Sequence, residues 1–358
     1  MIPAARPLID QEEREAVDRV LKSGVLAQGP EVSSFEEEFS EYVDHYKCVA
    51  VNSGTSALHL ALLAGGIGPG DEVIVPSFSY AATANSVALT GAKPVFVDIN
   101  LETFNISPEA IKAAITSKTK AIQPVHLYGQ PAQMDEIQKI AEENDLLIFE
   151  DAAQAHMAKF KGKYVGSFGT SGSFSFYPTK NMTSGEGGMI SCSTESFARN
   201  CKLLRNQGME KKYENEVVGF NTRMTEIHAA IGRVQLKKLP EWTRTRQANA
   251  KFLDENLKGV ITPFVLSDAE HVYHQYTIRV IDHDRDVFAK ELEKLGVGSG
   301  VYYPTPIHKL PSFRQTEDLP NTDVACKQVL SIPVHPSLTK NELEQIVNAV
   351  NSISKAGS

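Results

Sequence analysis

The segment Ser173-Phe174-Ser175-Phe176-Tyr177-Pro178-Thr179-Lys180-Asn181-Met182-Thr183-Ser184-Gly185-Glu186-Gly187-Gly188 sets the reading of the whole chain. Alternating serine and phenylalanine make a short strand, Lys180 follows it, and the glycines permit a tight return. A Schiff-base lysine would sit in such a place, although a loop lysine taken alone is more often only solvated. Upstream, the apolar run Leu146-Leu147-Ile148-Phe149 ends in Glu150-Asp151-Ala152-Ala153-Gln154, which puts a carboxylate at the C-terminal end of a buried strand. Earlier still, Val49-Ala50-Val51-Asn52 opens into Ser53-Gly54-Thr55-Ser56 and an apolar helical run, a turn that aims backbone N–H groups at an anion. Taken singly, Asp151 could equally be a helix cap, and Ser53–Ser56 an ordinary strand-to-helix turn.

Outward from these three strand ends the alternation persists. β-rich runs at Cys48–Val51, Glu72–Pro76, Pro94–Asp98, Ala121–Val125, Leu146–Glu150, Ser173–Phe176 and Gly188–Ser191 are separated by helical patterns. This predicts an α/β fold, a mostly parallel sheet sandwiched by helices, with ligands at the strand ends. Ser107 before Pro108 reads as a helix cap, and Asp135 as the start of another helix. Apolar spacing turns helical over Glu226–Leu239 and continues through Glu241–Gln247, which contains the single tryptophan, Trp242. We expect a large α/β domain over 1–248, preceded by a helix near Gln11–Lys22, and a smaller C-terminal α+β domain over 249–358. The latter rests on Tyr276–Val280, Val287–Leu295 and a terminal helix from Lys340 to about Ile353.

At 358 residues, with 42% hydrophobic and 22% charged residues, the chain can build more than one core. Its net charge of −8 gives no general attraction to nucleic acid or to an anionic membrane, and no apolar run approaches membrane-spanning length. Cys48, Cys192, Cys201 and Cys326 are scattered without metal-knuckle spacing, and His156 and His308 stand alone, so no metal is assigned. Reduced thiols and the absence of a signal-peptide pattern point to a cytoplasmic protein.

Lysine, acid and anion cup together suggest pyridoxal phosphate. That cofactor asks for an amine at its aldehyde, an acid at its ring nitrogen, a phosphate cup and a face for its ring. Lys180, Asp151 and the Gly54-Thr55-Ser56 turn answer the first three. Tyr80, just past a strand end, offers a ring face, with core packing as its plainer alternative. Gln154, three residues after Asp151, is placed to contact the ring hydroxyl, and Ser175 adds a hydroxyl to the cup unless strand alternation turns it outward.

The segments Asn52-Ser53-Gly54-Thr55-Ser56-Ala57-Leu58, Pro69-Gly70-Asp71-Glu72-Val73-Ile74-Val75-Pro76, Glu150-Asp151-Ala152-Ala153-Gln154-Ala155-His156 and Ser175-Phe176-Tyr177-Pro178-Thr179-Lys180-Asn181 resemble the DegT/DnrJ/EryC1/StrS family. So do Gly24–Val32, Arg205-Asn206-Gln207-Gly208, Gly219-Phe220-Asn221-Thr222-Arg223-Met224, Tyr303-Pro304 and Ile307-His308-Lys309-Leu310-Pro311. The resemblance implies the fold type I, aspartate-aminotransferase-like architecture. It also implies Lys180 as the Schiff-base lysine, Asp151 at the ring nitrogen, Gln154 at the ring hydroxyl, Tyr80 stacking, and Thr55 with Ser175 on the phosphate. Asn221 would reach the phosphate of a neighbouring subunit, in a homodimer with composite sites. Pro178 stands where many members have histidine, and Val25 where many have an aromatic residue; the latter departure implies a reshaped sugar pocket.

The reaction so implied is ping-pong transfer of an amino group from an amino acid, glutamate in most members, to a keto sugar carried by a nucleoside diphosphate. Arg205, Arg223, His308 and Lys309 are candidates for the polar tail. A dehydratase branch replaces the lysine with histidine, and Lys180 argues against it. Competing readings are another fold type I activity, such as aldol cleavage, and a non-catalytic regulator on the same fold.

Overall fold

The structure is a computed structural model and describes residues 1–356; residues 357 and 358 of the expected second domain lie outside the described residues. Eleven helices are described: α1 Gln11–Ser23, α2 Pro30–Ser40, α3 Gly54–Ala64, α4 Ala82–Leu89, α5 Pro108–Ala114, α6 Met134–Asn144, α7 Glu195–Arg205, α8 Glu226–Asn256, α9 Arg285–Lys294, α10 Pro320–Gln328 and α11 Lys340–Ala356. The strands of the first half are β1 Lys47–Val51, β2 Glu72–Pro76, β3 Lys93–Val97, β4 Thr119–Ile122, β5 Leu147–Asp151, β6 Lys159–Phe160, β7 Lys163–Tyr164, β8 Ser171–Ser175 and β9 Gly188–Cys192. Five shorter or later strands follow: β10 Met209–Lys211, β11 Glu214–Asn215, β12 Ala269–Glu270, β13 Tyr276–Arg279 and β14 Val329–Ile332.

Seven strands form the central sheet in the order β1-β9-β8-β5-β4-β2-β3. From β8 to β3 every pair is parallel, as the alternation predicts. β9 runs against both of its neighbours. The reason is chain length: no helix intervenes between β8 and β9, and a parallel crossover needs one.

Helices cover both faces, so strands such as β2, β8 and β9 are buried at every position. Alternation then sorts the side chains. Val49 and Val51 face the core beneath α3 and α7, whereas Cys48, Ala50, Phe174 and Phe176 face the one built with α2 and α8. Ser53 caps α3 by accepting from the Ser56 N–H, and Ser107, with Pro108 at the first helical position, caps α5. Asp135 lies inside the first turn of α6, because that helix starts at Met134 with Gln133 as its cap.

A second core gathers Ala250, Leu253, Tyr276, Ile278, Phe288, Leu292, Leu330, Ile346 and Val350 around the antiparallel pair β13–β14. The expected boundary at 248/249 falls inside α8, a single helix of 31 residues with Pro240 in its interior. Ile2 packs into the second core, while Ile307 and Leu319 return to the first. The chain therefore passes from the sheet cores to this one within α8, and segments from other parts of the sequence cross over as well. Among the described residues no helix is long and apolar enough to cross a membrane.

Candidate active site

A cavity of about 630 Å³ opens at the C-terminal ends of the parallel strands. β5, β8, the start of α3 and the segment after β2 each deliver residues to its wall, and Gln275 and Tyr303 arrive from the far part of the chain.

Asp151 ends β5 and is 5% exposed. Its Oδ2 accepts from Thr83 Oγ1 at 2.8 Å and its Oδ1 from the Ala153 N–H at 3.2 Å. With the Thr83 proton committed to the carboxylate, Ser79 Oγ, 2.8 Å from Thr83, becomes the donor to it. Burial pushes the Asp151 carboxyl up from its ordinary range, against the pull of Thr83, the Ala153 N–H and the charge of Lys180. The preceding residue, Glu150, points to the opposite face of the strand and is completely buried.

Lys180 stands in the turn after β8, which its own N–H closes on the Tyr177 carbonyl at 2.9 Å. Its amine is half-buried in the cavity wall and has no ion pair among the described residues. Burial brings it down to about 8, with the Asp151 charge acting in the other direction.

The first turn of α3 supplies Gly54 and Thr55 to the cavity. Their N–H groups have no intrahelical acceptor, since they lie in the first turn. Ser56 does not join them: its hydroxyl sits 3.0 Å from Ser53 Oγ, within the cap. Ser175 approaches so closely that a Cβ on Gly54 would stand 2.7 Å from the Ser175 Cβ. Tyr80 is not a core residue; it is 61% exposed at the lip, its ring 6.0 Å from that of Tyr303. Gln154 accepts from the Tyr128 N–H at 2.8 Å and donates to the Tyr303 hydroxyl at 3.0 Å.

Asn221 is not brought to this cavity. It pairs with Asn206 in an isolated bridge, next to an exposed apolar stretch. The four candidates for a polar tail are also elsewhere. Arg205 is buried, 2.5 Å from Glu36 Oε1 and 2.8 Å from the Ala50 carbonyl. His308 is fully buried with Nδ1 2.6 Å from Ser77 Oγ, Lys309 pairs with Asp323, and Arg223 bonds Asn206. Arg205 and His308 are buried away from the cavity, whereas Arg223 and Lys309 lie nearer the surface.

Sequence reasoning missed Thr83, Tyr128, Glu186, His274 and Gln275, all of which touch Asp151 or line the cavity. Ser79 and Thr83, four residues apart at the entry to α4, carried a readable signal. Glu186 stands in the glycine-rich turn just after Lys180, where attention went to the glycines; Tyr128, His274 and Gln275 come from distant segments whose local pattern says nothing about where they fold.

The sequence profile of the DegT/DnrJ/EryC1/StrS aminotransferase family matches residues 7–351. GDP-perosamine synthase of Caulobacter vibrioides is 40% identical, with 98% of each chain covered. Among solved structures, DesV of S. venezuelae in complex with a ketimine intermediate superposes with a TM-score of 0.93 at 39% identity, over 96% of this chain and 94% of that one. The sugar aminotransferase Spr1654 of Streptococcus pneumoniae, in its PLP form, gives 0.95 at 29% identity over 100% and 99%. A profile spanning nearly the whole chain and relatives matched end to end place this protein in the DegT/DnrJ/EryC1/StrS aminotransferase family.

Proposed function

We propose that the protein is a pyridoxal-phosphate-dependent aminotransferase that moves an amino group from an amino acid to a nucleotide-linked keto sugar. One observation carries it: the Lys180 amine, the Asp151 carboxylate and the first turn of α3 converge on a single cavity.

The cavity suits that cofactor. Its volume lies in the range of small-molecule sites. Its buried wall holds a carboxylate. The helix start is open at Gly54, where a Cβ would collide with Ser175, leaving two N–H groups and a hydroxyl around one spot. Bound there, pyridoxal phosphate supplies an electron sink for breaking a carbon–hydrogen bond.

The chain's own residues supply the rest. An amine brought down to about 8 is unprotonated in about a tenth of molecules at neutral pH, far more than a solvated lysine. Lys180 Nζ would therefore hold the cofactor's aldehyde carbon, with loss of water, and as a free amine would take up and return a proton at the reacting carbon. Asp151 would pair with the ring nitrogen, and the Ser79–Thr83 chain and the Ala153 N–H hold the carboxylate in its acceptor form. Gly54, Thr55 and Ser175 would hold the phosphate. Tyr80 would offer its ring as a stacking face, and Gln154, fixed by Tyr128, would contact the ring hydroxyl.

We assign glutamate as the donor, following the usual choice in the family. A homodimer is supported by Tyr213, Val217, Val218 and Phe220, apolar residues close together in sequence and between 38% and 92% exposed, the last directly before Asn221. Docked on a second copy, they would carry Asn221 to the partner's phosphate cup. Four free cysteines are in keeping with a reducing cytoplasm. The first test is the visible spectrum of the purified protein with and without L-glutamate, beside Lys180→Ala. A band that needs Lys180 and bleaches with glutamate is expected; an unchanged band would exclude glutamate, and no band at all would overturn the assignment. UDP-, dTDP- and GDP-linked keto sugars, screened for return of the band, then identify the acceptor.

A further inference from the structure

Asn181, the residue after Lys180, is 4% exposed, and its side chain is engaged at both ends. Its Nδ2 donates to the Val272 carbonyl at 3.0 Å, which leaves Oδ1 as the atom 3.3 Å from His274 Nδ1. A carbonyl oxygen only accepts, so Nδ1 carries the imidazole proton and Nε2 holds the lone pair. His274 is 6% exposed and stands in the same cavity wall as Lys180. One amide thereby ties the lysine-bearing turn to a strip of chain 93 residues further on.

That strip is pressed against the site from behind. The Val272 N–H donates to the Gly129 carbonyl at 3.0 Å and the Gln275 N–H to the Tyr128 carbonyl at 3.2 Å. Gly129 is needed for this approach, because a Cβ there would meet the His274 nitrogen and Val272 Cγ2 at 2.9 Å. Directly before His274, Tyr273 takes φ 46°, a left-handed conformation that tyrosine adopts only where its surroundings impose it. Its N–H bonds His271 Nδ1 at 2.8 Å and its ring stacks on His271 at 4.1 Å. The titratable groups around His274 are Lys180, Arg246, His156 and His271; burial and the positive charges of Lys180 and Arg246 keep its imidazole neutral.

We infer that His274 is a positioning residue for the Lys180 amine: by donating to Asn181 it fixes the turn that carries the lysine into the cavity that both residues line. The inference rests on Lys180 being the reactive amine.

The test uses the full chain stripped of cofactor and mixed with pyridoxal phosphate over a pH series. Growth of the visible band gives the capture rate, and borohydride reduction followed by peptide mass mapping locates the bond. In the parent protein the rate should rise through a midpoint near 8. His274→Leu removes the donor to Asn181 and should lower the high-pH plateau about tenfold with little change in midpoint. His274→Asn puts an amide N–H where Nδ1 was, so the plateau should recover to within about twofold of the parent. Asn181→Ala should lower the plateau with little change in midpoint. These last two decide the matter even if His274→Leu fails to fold. A parental plateau in Asn181→Ala, or one about tenfold low in His274→Asn, would overturn the inference. Covalent capture that persists in Lys180→Ala would instead remove the parent assignment, whatever the His274 variants do.

Discussion

Replacing Glu150 by glutamine tests how the site is anchored from the far side of the sheet. The Glu150 carboxylate has no exposed surface and takes four donors. Oε1 accepts from the Phe168 and Gly169 N–H groups at 2.7 and 2.9 Å; Oε2 accepts from the Gly166 N–H at 2.7 Å and faces His126 Nε2 at 3.0 Å. His126 is a donor there, because its Nδ1 accepts from the Ala132 N–H at 3.0 Å. Glutamine is nearly the same size, yet only one end of its amide accepts. In either orientation two of the four donors face an NH₂ group and are orphaned in a dry interior. Each orphan costs about 1–3 kcal/mol, so the loss should be about 4 kcal/mol. Urea unfolding of the cofactor-free protein, followed by Trp242 fluorescence, reads this directly. With a slope of about 3–4 kcal/mol/M for a chain of this length, the midpoint should fall by about 1 M. Asp151→Asn is the control: its neighbour takes none of those donors, and neutralising a carboxyl that burial already pushes up should leave the midpoint within about 0.3 M. A Glu150→Gln midpoint equally close to the parent would refute the counting of donors.

Three further outcomes follow from the same geometry. Thr83→Val keeps the shape but removes the hydroxyl donated to Asp151; the carboxyl should rise further, and cofactor affinity should drop about 10-fold or more, measured by equilibrium dialysis. Gly54→Ala sets a methyl against Ser175, so pyridoxal phosphate binding should weaken at least about tenfold, whereas affinity for phosphate-free pyridoxal should change little. His156 and His271 are buried and neutral, each held down to about 3. Between that value and 6.5 the unfolded chain binds more protons than the folded one, so stability is intact above pH 6.5 and falls as pH drops, by about 1.4 kcal/mol per unit for each ring. Urea midpoints taken from pH 7 to pH 5 should show this slope, and His271→Phe should make it shallower; an unchanged slope would show that His271 is not the group being charged.

The parallel part of the sheet was legible because burial on both faces writes itself into composition: Val73, Ile74 and Val75 can be little else than a central strand. The cup at Gly54 and Thr55 was legible for a related reason, a strand running straight into a capped helix. The direction of β9 was not. It is decided by how little chain joins it to β8, not by any residue within it. Charge misled at Arg205, whose guanidinium reads as a ligand in sequence but lies against Glu36 and the Ala50 carbonyl. Contributions such as Tyr128 and His274 were invisible, because their place depends on the packing of segments far apart in the chain.

α8 behaves as a lever. Its 31 residues span about 46 Å, so a tilt of one degree at Glu226 displaces the far end by about 0.8 Å. The near end is fixed by the buried Glu226 carboxylate, which accepts from the Gly29, Glu31 and Val32 N–H groups. Further along, Arg246 holds the Tyr273 carbonyl, Gln247 that of His271, and Asn249 those of Val334 and His335. The loop before α2 and the strip that ends in His274 and Gln275 are thus fastened to the same helix. Between the two anchorages lies Pro240, which lacks the N–H that would otherwise stiffen the helix there.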